Sequence, residues 1–91
     1  MPATVIIPAA LRQFTDNCHE LAVEGETVAA VIDSAAADHP QLRPNLLTGD
    51  GTLQPFVHVF VNGNDVKSAA GLDTPVPDNA EVLIVQAISG G

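Results

Sequence analysis

Apart from its carboxylates, the chain has few residues able to do chemistry, and they are scattered. One cysteine, Cys18, and three histidines, His19, His39 and His58, are the only thiol and imidazole groups. Without Cys pairs there is no zinc spacing, and an iron–sulfur centre would need four ligands. There is no G-x-x-x-x-G-K-[ST] loop to hold a nucleoside triphosphate, and no nucleophile stands at a recognisable spacing from a base. Cys18 is therefore read as structural or incidental, and His58, inside an apolar run, as a partly buried strand residue. The unusual feature is the end of the sequence, IVQAISGG, Ile84 to Gly91. A run with the pattern of a buried strand gives way to Ser89-Gly90-Gly91, so the most flexible dipeptide directly follows a piece of core.

The elements that must position this end follow from periodicity. TVIIP, Thr4 to Pro8, is β-branched and closes on Pro8, which lacks a backbone donor, so a first strand stops there with Val5 and Ile7 on one face. After a turn at Asp16-Asn17, HELAVE alternates Leu21 and Val23 with polar neighbours, giving a second strand and an antiparallel hairpin. Gly25-Glu26 breaks that strand. Thr27 is placed to cap a helix over VAAVIDSAAAD, in which Val28, Val31, Ile32, Ala35 and Ala36 form one apolar stripe. Pro40 ends the helix by Asp38 or His39.

QLRPNLLTGDGTLQP reads as a long loop with a helical turn near Leu46 and a tight turn at Gly49-Asp50-Gly51. FVHVFV, Phe56 to Val61, is apolar on both faces apart from His58, as expected of a central strand, and it ends in the turn signal Asn62-Gly63-Asn64-Asp65. Val66-Lys67 is expected to add a short strand, and EVLIVQAI is the last one. A hairpin, one crossover helix and a strong final strand predict an α+β domain. By the right-handed crossover rule, the last strand lies parallel to the first and beside it. This is the outline of a β-grasp fold, a mixed sheet of four to five strands on one main helix, as a single domain over residues 1–91.

Composition narrows the function. With 46% hydrophobic residues, three Phe and neither Trp nor Tyr, the core must be built from Val, Ile, Leu and Ala. Eleven Asp and Glu against three Lys and Arg give a formal charge of -8, spread along the chain. That argues against nucleic acid and anionic membrane as partners and for a basic surface on another protein, with solubility alone as the plain alternative. No apolar stretch approaches the ~20 residues of a membrane span, and the N-terminus lacks a signal-peptide pattern, so a soluble cytoplasmic protein is expected.

IPAALR after the first strand, GETVAAVID opening the helix, FVHVFVNGNDV at the central strand and GLDTPVPDNAEV before the last strand occur in this order, ahead of Gly90-Gly91. Along its whole length the chain resembles the ubiquitin-like sulfur-carrier proteins of the ThiS and MoaD group, most of all the CysO-type carriers of cysteine biosynthesis. It departs where relatives usually read Asp-Gly-Asp-Glu-Val, having Asp78-Asn79-Ala80-Glu81-Val82 instead; Asn79 is expected to adopt the left-handed turn geometry that Gly takes.

The resemblance implies a carrier without catalytic residues or a bound cofactor of its own. An E1-like adenylyltransferase/sulfurtransferase would use ATP to adenylate the Gly91 carboxylate, and a sulfur donor would displace AMP to leave a thiocarboxylate. Lacking Cβ atoms, Gly90 and Gly91 suit a tail, from about residue 87, that threads a narrow channel. The receiving partner would be a PLP-dependent cysteine synthase, with a metalloprotease freeing cysteine from the carrier. The alternatives are a MoaD-type role beside the large subunit of molybdopterin synthase and a ubiquitin-like protein modifier. Alternation supplies a docking face: if Val57, Val59 and Val61 face the helix, His58 and Phe60 face out, and Leu83 and Val85 join them, with Ile88 beyond. Such an apolar row beside a mobile tail marks a partner surface, unless a loop or a second copy covers it.

Overall fold

The computed structural model of the chain describes residues 2–86. Thr27 has an extended backbone, and its hydroxyl accepts the Ala30 amide at 3.2 Å, opening α1 (Val28–Asp38). The expected stripe of Val28, Val31, Ile32, Ala35 and Ala36 is buried throughout. An eleven-residue helix is marginal on its own. Burial therefore holds it, at about 1.5–3 kcal/mol for each fully buried Val or Ile. Thr27→Ala, which removes the cap, is expected to lower the unfolding free energy by about 1 kcal/mol. A shifted denaturant midpoint at unchanged slope would report it.

The stripe packs on one face of a five-stranded sheet ordered β2-β1-β5-β3-β4. The strands are β1 (Ala3–Ile6), β2 (Glu20–Val23), β3 (Val57–Val61), β4 (Asn64–Asp65) and β5 (Glu81–Gln86). β1 and β2 pair antiparallel, and β5 lies between β1, to which it is parallel, and β3, to which it is antiparallel. Val57, Val59 and Val61 face the helix, as do Val82 and Ile84, all 5% exposed or less. The result is the β-grasp arrangement that the sequence predicts. Asn79 has φ 61°, the left-handed conformation expected of it, and turns the chain into β5.

Three local features differ from expectation. The loop after α1 contains a short helix, α2 (Leu42–Leu46), whose two leucines are fully buried against the core. The expected helical turn near Leu46 is its last turn, and Pro44 fits because a helix's first turn leaves its amides unpaired anyway. The short strand after β3 is Asn64–Asp65, not Val66-Lys67. Asn62 and Gly63, at φ 49° and 88°, make a two-residue turn, so pairing resumes at once with Val61 opposite Asn64. Val66 is fully buried and begins a 3-10 turn capped by Asp65. Finally, Ala9–Phe14 forms a 3-10 segment between β1 and β2 that buries Leu11.

Gly25 stands where β2 gives way to α1. A Cβ there would lie 2.7 Å from the Val31 backbone nitrogen and 2.9 Å from the Ala30 carbonyl carbon. Only glycine lets the end of β2 come this close to the helix. No helix among the described residues is long and apolar enough to cross a membrane.

Candidate functional site

With one sheet face given to the helix, alternation sends every second residue to the other side. The ladder between β3 and β5 sets His58 opposite Val85 and Phe60 opposite Leu83, so the four expected docking residues on these strands are direct cross-strand neighbours. His58, Phe60 and Leu83 are half-buried. Val85, at 37% exposed, is one of the two most exposed large apolar residues described, with Phe56.

The patch extends further than the sequence reading carried it. Ile6 of β1 lies beside Leu83 and is half-buried, which adds a third strand to the apolar surface. The signal was present: placing Val5 and Ile7 inward obliges Ile6 to face out. At the rims, Glu20 of β2 stands beside Ile6, and Asp65 of β4 stands beside Phe60. Glu81, exposed, lies on the same side of β5. Ile6, Leu83 and Phe60 thus make an apolar centre with carboxylates at its margins.

β5, at the centre of the sheet, is also the strand that leads in sequence to Gly90 and Gly91. Those two residues, Ile88 and the remainder of the tail from residue 87 lie outside the described residues. On the inner side β5 ends at Gln86, whose buried Oε1 has no hydrogen-bond partner among the described residues.

The remaining candidates stay apart. Cys18 is exposed, next to the turn at Asp16 and Asn17, whose φ values are 54° and 66°. That turn is held by the buried Thr15 hydroxyl, which donates to the carbonyl of Cys18 at 2.8 Å. His19, His39 and His58 join no group of metal-ligating side chains among the described residues. A groove of about 640 Å³ runs from the β3–β4 turn to Thr74, Pro75 and Pro77, and Asp65 is its only titratable lining residue.

A model of the ThiS family matches residues 5–91. The Sulfur carrier protein CysO of Mycobacterium tuberculosis is 34% identical over 93 residues, covering 100% of both chains. Among solved structures, the Amycolatopsis orientalis BexX/CysO complex contains a chain that matches with TM-score 0.92 and 32% identity, covering 98% of this chain and 99% of that one. The small archaeal modifier protein 1 from Methanosarcina acetivorans matches with TM-score 0.87 and 29% identity, over 99% of this chain and 96% of that one.

Proposed function

The chain belongs to the ThiS family, and from that premise we propose that it is a sulfur carrier of the CysO kind whose working atom is the carboxyl carbon of Gly91. The observation that carries this reading is the full-length similarity to CysO at 34% identity, with the apolar face on the strand that leads to Gly90-Gly91.

The chemistry runs through a partner. The Gly91 carboxylate attacks the α-phosphorus of ATP on an E1-like enzyme, giving an acyl adenylate and pyrophosphate. A sulfur nucleophile then adds to the activated carbonyl, AMP departs, and the product is a thiocarboxylate. Adenylation replaces a poor leaving group by a good one, and the absence of a Cβ on Gly91 leaves the carbonyl open to attack. The chain's own part is to dock and to deliver the tail. Ile6, Phe60, Leu83 and Val85 supply the apolar contact that holds the domain while the tail reacts. We assign the transfer of sulfur to a PLP-dependent cysteine synthase and the release of cysteine to a metalloprotease, all in the cytoplasm.

The likeness to an archaeal modifier supports a second reading, in which activated Gly91 forms an isopeptide bond with a lysine of another protein. Intact mass spectrometry of the protein from its native cell separates the two. A carrier yields a species with one oxygen replaced by sulfur, lost when Gly91 is deleted. A modifier yields heavier species cross-linked through lysine. If only the free carboxylate persists with the activating enzyme and ATP present, the carrier reading falls.

A further inference from the structure

One register row crosses all five strands in the order Glu20, Ile6, Leu83, Phe60, Asp65. With strands about 4.8 Å apart, the two acids at its ends stand roughly 19 Å from each other. Glu81 borders the row on a third side, two residues before Leu83 on β5. On the remaining side are Val85 and His58, toward the residues that lead to the tail. The carboxylates therefore border the apolar row on three sides, and the fourth, toward the end of β5 at Gln86, carries Val85 and His58.

The arginine and lysine side chains make hydrogen bonds to groups other than these three carboxylates. Arg12 Nε donates to the Ile7 carbonyl at 3.1 Å, Arg43 pairs with Asp33, and Lys67 Nζ donates to the Pro55 carbonyl at 3.3 Å. Beside Glu20 lies the His19 ring, with Nδ1 3.7 Å from the carboxylate. Asp65 is held in place, because its carboxylate accepts the Lys67 amide at 2.9 Å.

We propose that Glu20, Glu81 and Asp65 are the orientation determinants of the docking face. The fitting partner is an activating enzyme with an apolar patch bordered by Arg or Lys on every side except the one nearest its nucleotide site. Charge matching then admits one orientation, with the tail toward ATP. This rests on the docking reading above and adds to it the partner's charge pattern. Solvated carboxylates of this kind contribute little to affinity but steer the encounter, so they act on the association rate.

The test uses the adenylating enzyme purified from the native cell by following ATP-dependent thiocarboxylate formation. Stopped-flow association compares the wild type with the triple variant E20Q/D65N/E81Q; D65N keeps an oxygen for the Lys67 amide. At an ionic strength of about 0.01 M the Debye length exceeds the width of the row, and the variant is expected to associate about tenfold more slowly. The difference should shrink at about 0.15 M, and dissociation should change by less than about twofold. A control, D38N/D50N/D73N, makes the same change in net charge at the end of α1, in the loop after α2 and on the 3-10 turn Gly71–Asp73 beside α1, and should leave association within about twofold of wild type. Equal slowing by both triples assigns the effect to net charge and overturns the proposal, as does an unchanged rate for the face variant. Leu83→Ser distinguishes the levels. If it speeds dissociation while the face triple does nothing, the docking face stands and the orientation inference falls; if it also does nothing, both fall. An extract with no adenylating activity toward the chain would likewise overturn both.

Discussion

Phe60→Asp is expected to weaken binding to the activating enzyme by about a hundredfold or more while leaving the domain folded. Phe60 belongs to the apolar centre of the sheet's free face, with Leu83 of the central strand on one side and Asp65 of the edge strand on the other. Aromatic residues at the centre of an interface commonly contribute 2 kcal/mol or more, and about 3 kcal/mol corresponds to two decades in Kd. The substitution also leaves a charge to be desolvated against the partner's apolar surface and sets it beside an existing carboxylate, so the true loss should exceed that of truncation. Within the fold the effect is smaller. A carboxylate directly across from Asp65 and a poorer strand former together cost about 1–2 kcal/mol, which a domain of this size can bear. Titration calorimetry against the enzyme, paired with a denaturation curve, checks both halves. Intact binding would remove the docking face, and loss of cooperative unfolding would move Phe60 into the core.

Gly25→Ala should be among the most damaging single-methyl changes the chain can suffer, lowering stability by about 3 kcal/mol or more. The new Cβ would press on the backbone of Val31 and Ala30, which no rotamer change can relieve. Relief requires α1 to move off the end of β2, and the buried contacts of Val28, Val31 and Ile32 resist that movement. Gly51→Ala provides the comparison. Gly51 has φ +81° with nothing within 4 Å of its hypothetical Cβ, so the same methyl there meets only backbone strain, about 1–2 kcal/mol. Gly25, at φ 154°, carries backbone strain too, so a urea midpoint lower for Gly25→Ala than for Gly51→Ala reports the added steric conflict, and equal midpoints would mean that the close approach at Gly25 carries no weight.

Much of this architecture was legible in the residues because several signals agreed at each position. Thr27 and Pro40 bracket α1 with a hydroxyl that pairs an amide and a ring that blocks continuation. The alternation of Val57 to Val61 fixed both faces of β3, and through the ladder it fixed the outward side of β5. Asn79 was readable because few non-glycine residues tolerate positive φ. The misplacement of β4 has a physical cause: Val66 is β-branched and apolar, which argues for a strand, but its side chain is needed in the core at a 3-10 turn. α2 escaped full description because five residues are too few for a helical period, and its stability comes from where Leu42 and Leu46 land. The acidic margin of the free sheet face was the least legible part. Glu20, Asp65 and Glu81 are distant in sequence, and only the strand order brings them around one patch.

That strand order also decides how the domain carries a mechanical load. β1 lies near the start of the chain and β5 leads to its end, and the two run side by side in the same direction. Under the proposed function, an enzyme that pulls on the tail is opposed by the body of the domain along the axis of β5. The ladders to β1 on one side and to β3 on the other are then loaded in shear, with their hydrogen bonds sharing the force instead of opening one by one. A carrier of the proposed kind is thus anchored through the central strand of the sheet, which is held by a neighbour on each side.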